Sequence, residues 1–120
     1  YNANPGSVRA AIDVLAQKKC GVLVLGDLAE LGPDAAQLHG ELGHYAREKQ
    51  LAKLFTLGTL SQHATTAFGD GAQHFSDRDQ LIAALTAVAK SEMTLLIKGS
   101  RSSKMDLVVR ALCNAAGDAH

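Results

Sequence analysis

Met93-Thr94-Leu95-Leu96-Ile97-Lys98-Gly99-Ser100-Arg101 is an apolar run that ends abruptly in a cation, a glycine, a hydroxyl and a second cation. An apolar run of this length, bounded by a turn signal, predicts a buried strand over residues 93–97. Helical spacing from residue 104 to 112 follows, so residues 98–101 are predicted to lie at the turn between a strand and a helix. Ligands of open α/β sheets bind at this edge, and a helix N-terminus there offers unpaired N–H groups to an anion. The stretch therefore predicts an anion site.

Strands and helices alternate through the rest of the chain. Strands are predicted over residues 20–25 and 53–57, with at most a short strand over residues 73–75, and a short helix spans about residues 61–68. The signals for helix ends are Asn4 with Pro5, Asp34 with Gln37, Ser76, and Gly117. The apolar helix faces are Val8, Ala11, Ile12 and Leu15; Leu38, Leu42, Tyr45 and Ala46; Leu81, Ile82, Leu85, Val88 and Ala89; and Met105, Val108, Val109 and Leu112.

This alternation predicts the fold class. Strands joined by helices pair in parallel through right-handed crossovers, with helices on both faces of the sheet. We therefore expect an α/β domain, a three-layer Rossmann-like sandwich with a mostly parallel sheet of about four strands. Residues 1–120 are expected to form this single domain. The sequence begins with Tyr1, inside a motif, so we interpret it as a fragment of a longer protein.

The composition narrows the function classes. The chain has 120 residues, with 12 acidic and 12 basic side chains, so charge gives no reason to expect nucleic acid or an anionic membrane as a partner. No apolar run approaches the roughly 20 residues of a membrane span, and the N-terminus has no signal-peptide pattern. Cys20 and Cys113 form no metal-ligand or CxxC pattern, so we expect two reduced core cysteines in a cytosolic protein.

Charged residues should gather at the carboxyl edge of the sheet. Three loops are expected to converge there, over residues 27–32, 58–61 and 98–101. Arg101 has the fork geometry to hold a carboxylate, and Lys98 can neutralise a phosphoryl or acyl-phosphate oxygen. Asp27 or Glu30 can hold an ammonium group. The simpler alternative, a structural edge in which these cations pair with these acids, stays open.

Several catalytic motifs are missing from the sequence. It contains no phosphate-binding GxxxxGK[ST], no GxGxxG after a strand, no GxSxG and no HExxH. His44, His63 and His74 are expected at the surface, and so is His39, although it lies close behind the acidic loop. We predict no catalytic residue and no metal site in this domain alone.

Three motifs, in order and at this spacing, resemble the C-terminal domain of the Mur ligases. They are Tyr1-Asn2-Ala3-Asn4-Pro5 with Ser7; Leu25-Gly26-Asp27-Leu28-Ala29-Glu30-Leu31-Gly32 followed by His39 and Gly43; and Ile97-Lys98-Gly99-Ser100-Arg101 with Met105. The resemblance covers essentially the whole chain. Sister Mur ligases and folylpolyglutamate synthase carry different residues at the opening motif, so the resemblance favours the member that adds D-Ala-D-Ala.

The resemblance implies a three-domain cytoplasmic enzyme of peptidoglycan precursor synthesis. ATP, with Mg²⁺ bridging, would phosphorylate the terminal carboxylate of UDP-MurNAc-tripeptide, and the amine of D-Ala-D-Ala would attack the acyl phosphate. This C-terminal domain would close over the N-terminal and central domains and would be inactive alone. The implied cleft residues are Tyr1, Asn2, Asn4, Asp27, Glu30, Lys98, Ser100 and Arg101.

Two alternatives remain open at this stage. One is a receiver-like domain with Asp27 as phospho-acceptor and Lys98 as the strand-end lysine, although the further acids of such domains are missing after the first strand. The other is a stand-alone amino-acid- or peptide-binding module of the same fold.

Overall fold

The computed structural model describes residues 3–88 and 93–118. Its strands are β1 (Gly21–Gly26), β2 (Lys53–Leu57), β3 (Ala72–Phe75) and β4 (Thr94–Lys98). Its helices are α1 (Pro5–Ala16), α2 (Ala35–Glu48), α3 (Gln62–Phe68), α4 (Arg78–Val88) and α5 (Met105–Asp118), with 3₁₀ turns at Gly32–Asp34 and Arg101–Ser103. In this part of the chain, no helix is both long and apolar enough to cross a bilayer.

The four strands form one sheet in the order β3-β2-β1-β4, and every neighbouring pair is parallel. Leu25 near the end of β1 lies opposite Thr56 of β2 and Lys98 of β4, so these strands end at nearly the same level. The interior strand β1 is buried along its whole length, as an unbroken apolar run in a parallel sheet requires. The predicted parallel α/β sheet of four strands is confirmed.

Helices cover both faces of the sheet, so the predicted three-layer sandwich is also confirmed. Leu23 and Leu25 of β1 pack with α1, α2 and α3. Val22 and Val24, which alternate with them along the strand, pack on the opposite face with α4 and α5. Each face therefore has its own apolar cluster.

Helix α1 begins as its sequence predicts. The Asn4 side chain accepts a hydrogen bond from Ser7 N at 2.9 Å, and Ser7 Oγ accepts one from Asn4 N at 3.0 Å. This reciprocal pair is a capping box, and Pro5 occupies the first helical turn, where its missing N–H costs nothing.

At the starts of α2 and α4 the predicted capping bonds are absent, although Asp34 does stand at the N-cap position of α2. The Asp34 side chain caps nothing, because Asp34 lies in the 3₁₀ turn that precedes α2, and Gln37 instead donates to Glu41 at 3.2 Å. Helix α4 is capped by Asp77 and not by Ser76, since Asp77 Oδ1 accepts from Asp79 N at 3.0 Å. The chain makes an extra 3₁₀ turn before α2, whereas α4 begins at Arg78, one residue later than a cap at Ser76 would place it.

The buried face of α2 differs from the prediction by a rotation of the helix. Its buried residues are His39, Leu42, Gly43 and Ala46. Leu38 and Tyr45, predicted as core positions, are only partly buried. Cys20 was also predicted in the core, and its free thiol is half-buried just before β1. Ala89 lies outside the described residues, as does the side chain of Cys113.

The turn between β4 and α5 lies where the sequence predicts it, over residues 99–104. The 3₁₀ turn Arg101–Ser103 follows the strand, and Lys104 then adopts a left-handed conformation with φ 56° before α5 begins at Met105. The helix ends one residue beyond the predicted stop at Gly117. Six residues, 99–104, therefore separate β4 from α5.

Candidate functional site

Three loops meet at the carboxyl edge of the sheet. We call them the β1 loop (residues 27–31), the β2 loop (residues 58–61) and the β4 loop (residues 99–104). The β1 loop is hydrogen-bonded to both of the others. The convergence predicted from the sequence is therefore present.

Asp27 connects the β1 loop to the β2 loop. Its carboxylate accepts hydrogen bonds from the backbone N–H groups of Leu60, at 3.1 Å, and Ser61, at 2.7 Å, and the Thr59 hydroxyl lies 3.5 Å away. Gly58 has φ +114°, and a Cβ there would lie 2.5 Å from Asp27 Oδ1. Glycine is thus required both for the turn and for the approach of the carboxylate. Asp27 stabilises the loops by binding backbone amides.

Ser100 connects the β1 loop to the β4 loop. Its N–H donates to Asp27 O at 3.1 Å, and its Oγ accepts from Ala29 N at 2.6 Å. The same hydroxyl lies 3.5 Å from Ala3 O, which it can reach as a donor. Ser100 is 1% exposed, so its hydroxyl is used within the protein. The structure places this residue as a connector of three segments.

His39 holds the middle of the β1 loop from below. Its imidazole is completely buried, although the sequence predicted a surface residue. Leu28 N donates to His39 Nε2 at 3.0 Å, and Nδ1 lies 2.7 Å from Ala35 O. Since a carbonyl can only accept, Nδ1 carries the hydrogen, and the ring is the neutral tautomer with Nε2 free to accept. Helical spacing places His39 on the same face as Leu42, Gly43 and Ala46, but the spacing alone does not show that this face is the buried one.

The charged side chains of this edge are distributed unevenly. Glu30 is exposed and has φ 61°, a left-handed conformation that is rare for a residue with a side chain. Arg101 is exposed at the start of its 3₁₀ turn, and Lys98 is half-buried. By strand alternation, Lys98 shares the face of Leu96, on the side of α1. Among the described residues, the Lys98 ammonium has no hydrogen-bond or ion-pair partner. Lys98 therefore does not form the salt bridge to Asp27 or Glu30 that the simpler alternative expected.

The N-terminal segment reaches the same edge. Ala3 is buried, and its N–H lies 3.4 Å from Gly99 O. Asn4 is exposed beside it, and its side-chain oxygen accepts the capping bond of α1. Tyr1 and Asn2, which the sequence also assigned to the cleft, lie outside the described residues.

Two glycines let β1 and β4 end close together beneath α5. A Cβ on Gly26 would lie 2.6 Å from Met105 Cγ, and one on Gly99 would lie 2.5 Å from Ser103 Oγ. Met105 is completely buried at this contact. These glycines are therefore required for close packing of the two strand ends against α5.

A polar network lies beside the site on strands β2 and β3. The buried Thr56 hydroxyl is 2.7 Å from His74 Nδ1 and 2.5 Å from Thr65 Oγ1. Partial burial lowers the pKa of His74, and the nearby Asp27 carboxylate opposes this shift. His74 was predicted at the surface and is instead half-buried.

The described side chains that could ligate a metal ion do not cluster. Within residues 3–88 and 93–118, no three side chains of His, Cys, Asp or Glu lie together as ligands for a metal ion. The described residues therefore do not fit a metal cage.

These features define a class of protein: an α/β domain that presents acidic and basic loops at the carboxyl edge of a parallel sheet. Residues 1–101 match the family described as "Mur ligase, glutamate ligase domain". The chain belongs to this family.

Similar proteins share one name. The chain is 42% identical over 115 residues to the UDP-N-acetylmuramoyl-tripeptide–D-alanyl-D-alanine ligase of Escherichia coli (strain K12), covering 93% of this chain and 25% of that protein. It is 32% identical over 122 residues to the ligase of that name from Bacillus subtilis (strain 168), covering 93% of this chain and 26% of that one. The chain thus spans about a quarter of the length of these relatives.

Solved structures show the same fold. A crystal structure of MurF from Acinetobacter baumannii superposes with a TM-score of 0.84 at 31% identity, covering 93% of this chain and 26% of that one. MurF from Thermotoga maritima, solved in complex with ADP, gives a TM-score of 0.80 at 21% identity, covering 93% of this chain and 26% of that one. At that identity the second likeness concerns the fold alone.

Proposed function

We propose that residues 1–120 form the C-terminal domain of a three-domain, ATP-dependent ligase that joins D-Ala-D-Ala to UDP-MurNAc-tripeptide in the cytoplasm. Family membership and the shared name of the relatives support this proposal. One structural observation carries it: acidic and basic loops are joined at one sheet edge, where they can receive a zwitterion. The domain contributes one wall of a nucleotide and dipeptide cleft and is inactive alone.

The proposed reaction forms an amide in two steps. ATP transfers its terminal phosphoryl group to the tripeptide carboxylate, which gives an acyl phosphate and ADP. The dipeptide amine, having lost a proton, then attacks the acyl carbon, and the C–O bond to phosphate breaks. The products are UDP-MurNAc-pentapeptide, ADP and phosphate. We assign ATP and Mg²⁺ to the full enzyme and expect this domain alone to bind neither tightly.

The cations of the edge would bind the anionic groups. Lys98 is half-buried without a partner among the described residues, which suits it to a phosphoryl or carboxylate oxygen. Arg101 matches the planar, two-point geometry of the dipeptide carboxylate. Glu30, exposed on a constrained backbone, would face the ammonium end.

The remaining predicted residues would act indirectly. Asp27 and Ser100 are used in hydrogen bonds between loops, so we propose that they position the edge and do not bind ligand through those atoms. Tyr1, Asn2 and Asn4 would lie near the nucleotide where the domains close. Closure over the central domain would also exclude water from the acyl phosphate, which water would hydrolyse.

The test is a coupled assay with the full-length protein. It is expected to form UDP-MurNAc-pentapeptide, detected by mass spectrometry, together with ADP, only when ATP, UDP-MurNAc-tripeptide and D-Ala-D-Ala are all present. The 120-residue chain alone is expected to form none. Ligation of a single amino acid in preference to the dipeptide would contradict the proposal.

The alternatives give different outcomes. A receiver-like domain would form an aspartyl phosphate at Asp27 from acetyl phosphate, but the Asp27 oxygens already bind the amides of Leu60 and Ser61. A stand-alone module would bind D-Ala-D-Ala as tightly as the full-length enzyme does. Either result would replace the proposed function.

A further inference from the structure

His39 links two segments of the chain from within the core. It is completely buried, yet both ring nitrogens are used, one for each of two segments. Nδ1 donates to Ala35 O in the first turn of α2, which fixes the ring on its own helix. Nε2 then accepts from Leu28 N, at 3.0 Å, on the loop above. The imidazole therefore joins α2 to the β1 loop.

This bond completes the fixing of three successive loop residues. Asp27 O accepts from Ser100 N, Leu28 N donates to His39, and Ala29 N donates to Ser100 Oγ. The Leu28 side chain is also buried, at 1% exposure. Glu30 follows immediately, with its left-handed backbone. The direction in which Glu30 leaves the loop is thus set by contacts that involve no ligand.

We propose that His39 is a positioning residue, whose neutral imidazole holds the β1 loop and thereby presents Glu30 to the amine-bearing acceptor. The inference rests on the proposed function for the identity of that acceptor. His39 itself does not touch the substrate, since it lies beneath the loop with no exposed surface. Substitution of His39 should therefore weaken binding of the acceptor and leave binding of the nucleotide unchanged.

The test compares three variants of the full-length ligase. His39→Leu keeps a buried apolar side chain but removes the acceptor for Leu28 N. His39→Gln restores an acceptor and a donor of similar reach. His44→Leu is the matched control, because His44 lies on the same helix with its side chain 66% exposed.

We expect His39→Leu to raise the KM for D-Ala-D-Ala by about tenfold or more, since small displacements of a positioning group have effects of this size. In His39→Leu the KM values for ATP and UDP-MurNAc-tripeptide should stay within about twofold of the wild-type values. In His44→Leu the KM values for all three substrates should stay within about the same twofold range. His39→Gln should recover most of the lost acceptor affinity. Parallel changes in all three KM values, or no change for the dipeptide, would overturn the inference.

Amide hydrogen exchange provides a second measurement that needs no turnover. Peptides covering residues 27–31 should exchange faster in His39→Leu than in the wild type, whereas peptides from the opposite face of the sheet should not change. If His39→Leu does not fold, the wild-type enzyme still decides: an unprotected Leu28 amide would overturn the inference. If the wild type makes no pentapeptide, the proposed function fails, and exchange still shows whether His39 holds the loop.

Discussion

Helix α2 crosses α3 at Gly43 with almost no space between the backbones. A Cβ at Gly43 would lie 2.1 Å from Ala64 O and 2.6 Å from Ala64 Cα. These are backbone atoms, so only a movement of α3 can relieve the contact. Gly40, one turn earlier on α2, is different, because its nearest neighbour would be His63 O at 3.8 Å. The two glycines form a matched pair for substitution by alanine.

The two substitutions share a gain in helix propensity, so their difference in free energy of unfolding reports the cost of the contact at Gly43. Alanine at either position gains about 1 kcal/mol of helix propensity over glycine. Gly40→Ala is therefore expected to stabilise the chain by about 0.5–1 kcal/mol. Gly43→Ala gains the same amount but introduces overpacking, which costs typically about 1–3 kcal/mol and more when backbone must move. The free energies of unfolding should differ by about 3 kcal/mol, at the upper end of that range.

Urea unfolding of the 120-residue chain, followed by circular dichroism, measures this difference directly. The two variants should share one m value and differ in midpoint, because m reports the surface exposed on unfolding. Equal midpoints, or a Gly43→Ala protein more stable than Gly40→Ala, would show that α3 accommodates a Cβ at position 43 without cost. The result also bears on the site, since α3 begins next to Ser61, whose amide binds Asp27.

Three further perturbations test individual parts of the structure. Asn4→Ala should lower the free energy of unfolding by about 1 kcal/mol by removing the α1 cap, while Asn4→Asp should keep most of it, in the same urea assay. Ser100→Ala should cost about 1–2 kcal/mol, because Ala29 N loses its acceptor, and unchanged stability would contradict the connector role. Burial lowers the pKa of His74, so the unfolded chain takes up the proton first and stability falls as the pH drops below about 6.5. His74→Gln should flatten that fall in urea titrations from about pH 8 to about pH 5, and an identical pH slope would argue against it.

The sheet could be predicted from the sequence because its strongest signals are local. The apolar run that forms β1 is unbroken and the run that forms β4 is interrupted only by Thr94, and the intervening helices leave parallel pairing as the arrangement. Asn4 before Pro5 likewise encodes the start of α1 within a few residues. Each of these features depends on neighbours in the chain, and each is present in the structure.

Features that depend on distant contacts could not be predicted in the same way. His39 is polar, so it was left out of the core, and its buried position depends on Leu28 N as a partner 11 residues away. The buried face of α2 includes Gly43 because of α3, which no pattern within α2 indicates. Lys104 adopts a left-handed conformation that the sequence does not indicate, because the residue is not a glycine.

The candidate site shows the same division. The convergence of three loops follows from parallel strand order, and so the sequence predicted it. Strand order does not show which polar side chains remain available to bind a ligand. Backbone amides of the β2 loop bind Asp27, and Ser100 is buried between segments. The role of each residue depends on hydrogen bonds across the loops.

We propose that the carboxyl edge of the sheet binds the reacting groups of the ligase. Lys98 and Lys53 form a matched pair for testing this proposal, since both are half-buried lysines on the two strands that flank β1, at opposite ends of the sheet. Lys53 opens β2 at the amino edge, and Lys98 closes β4 at the carboxyl edge. A charge-assisted bond of about 1.5–3 kcal/mol corresponds to roughly 10–150-fold in rate.

The decisive measurement is kcat/KM for pentapeptide formation by the full-length enzyme with Lys98→Ala or Lys53→Ala. We predict a loss of about 10–150-fold for Lys98→Ala and less than about twofold for Lys53→Ala, with both proteins folded. Equal values for the two variants, whether both unchanged or both reduced, would contradict the claim.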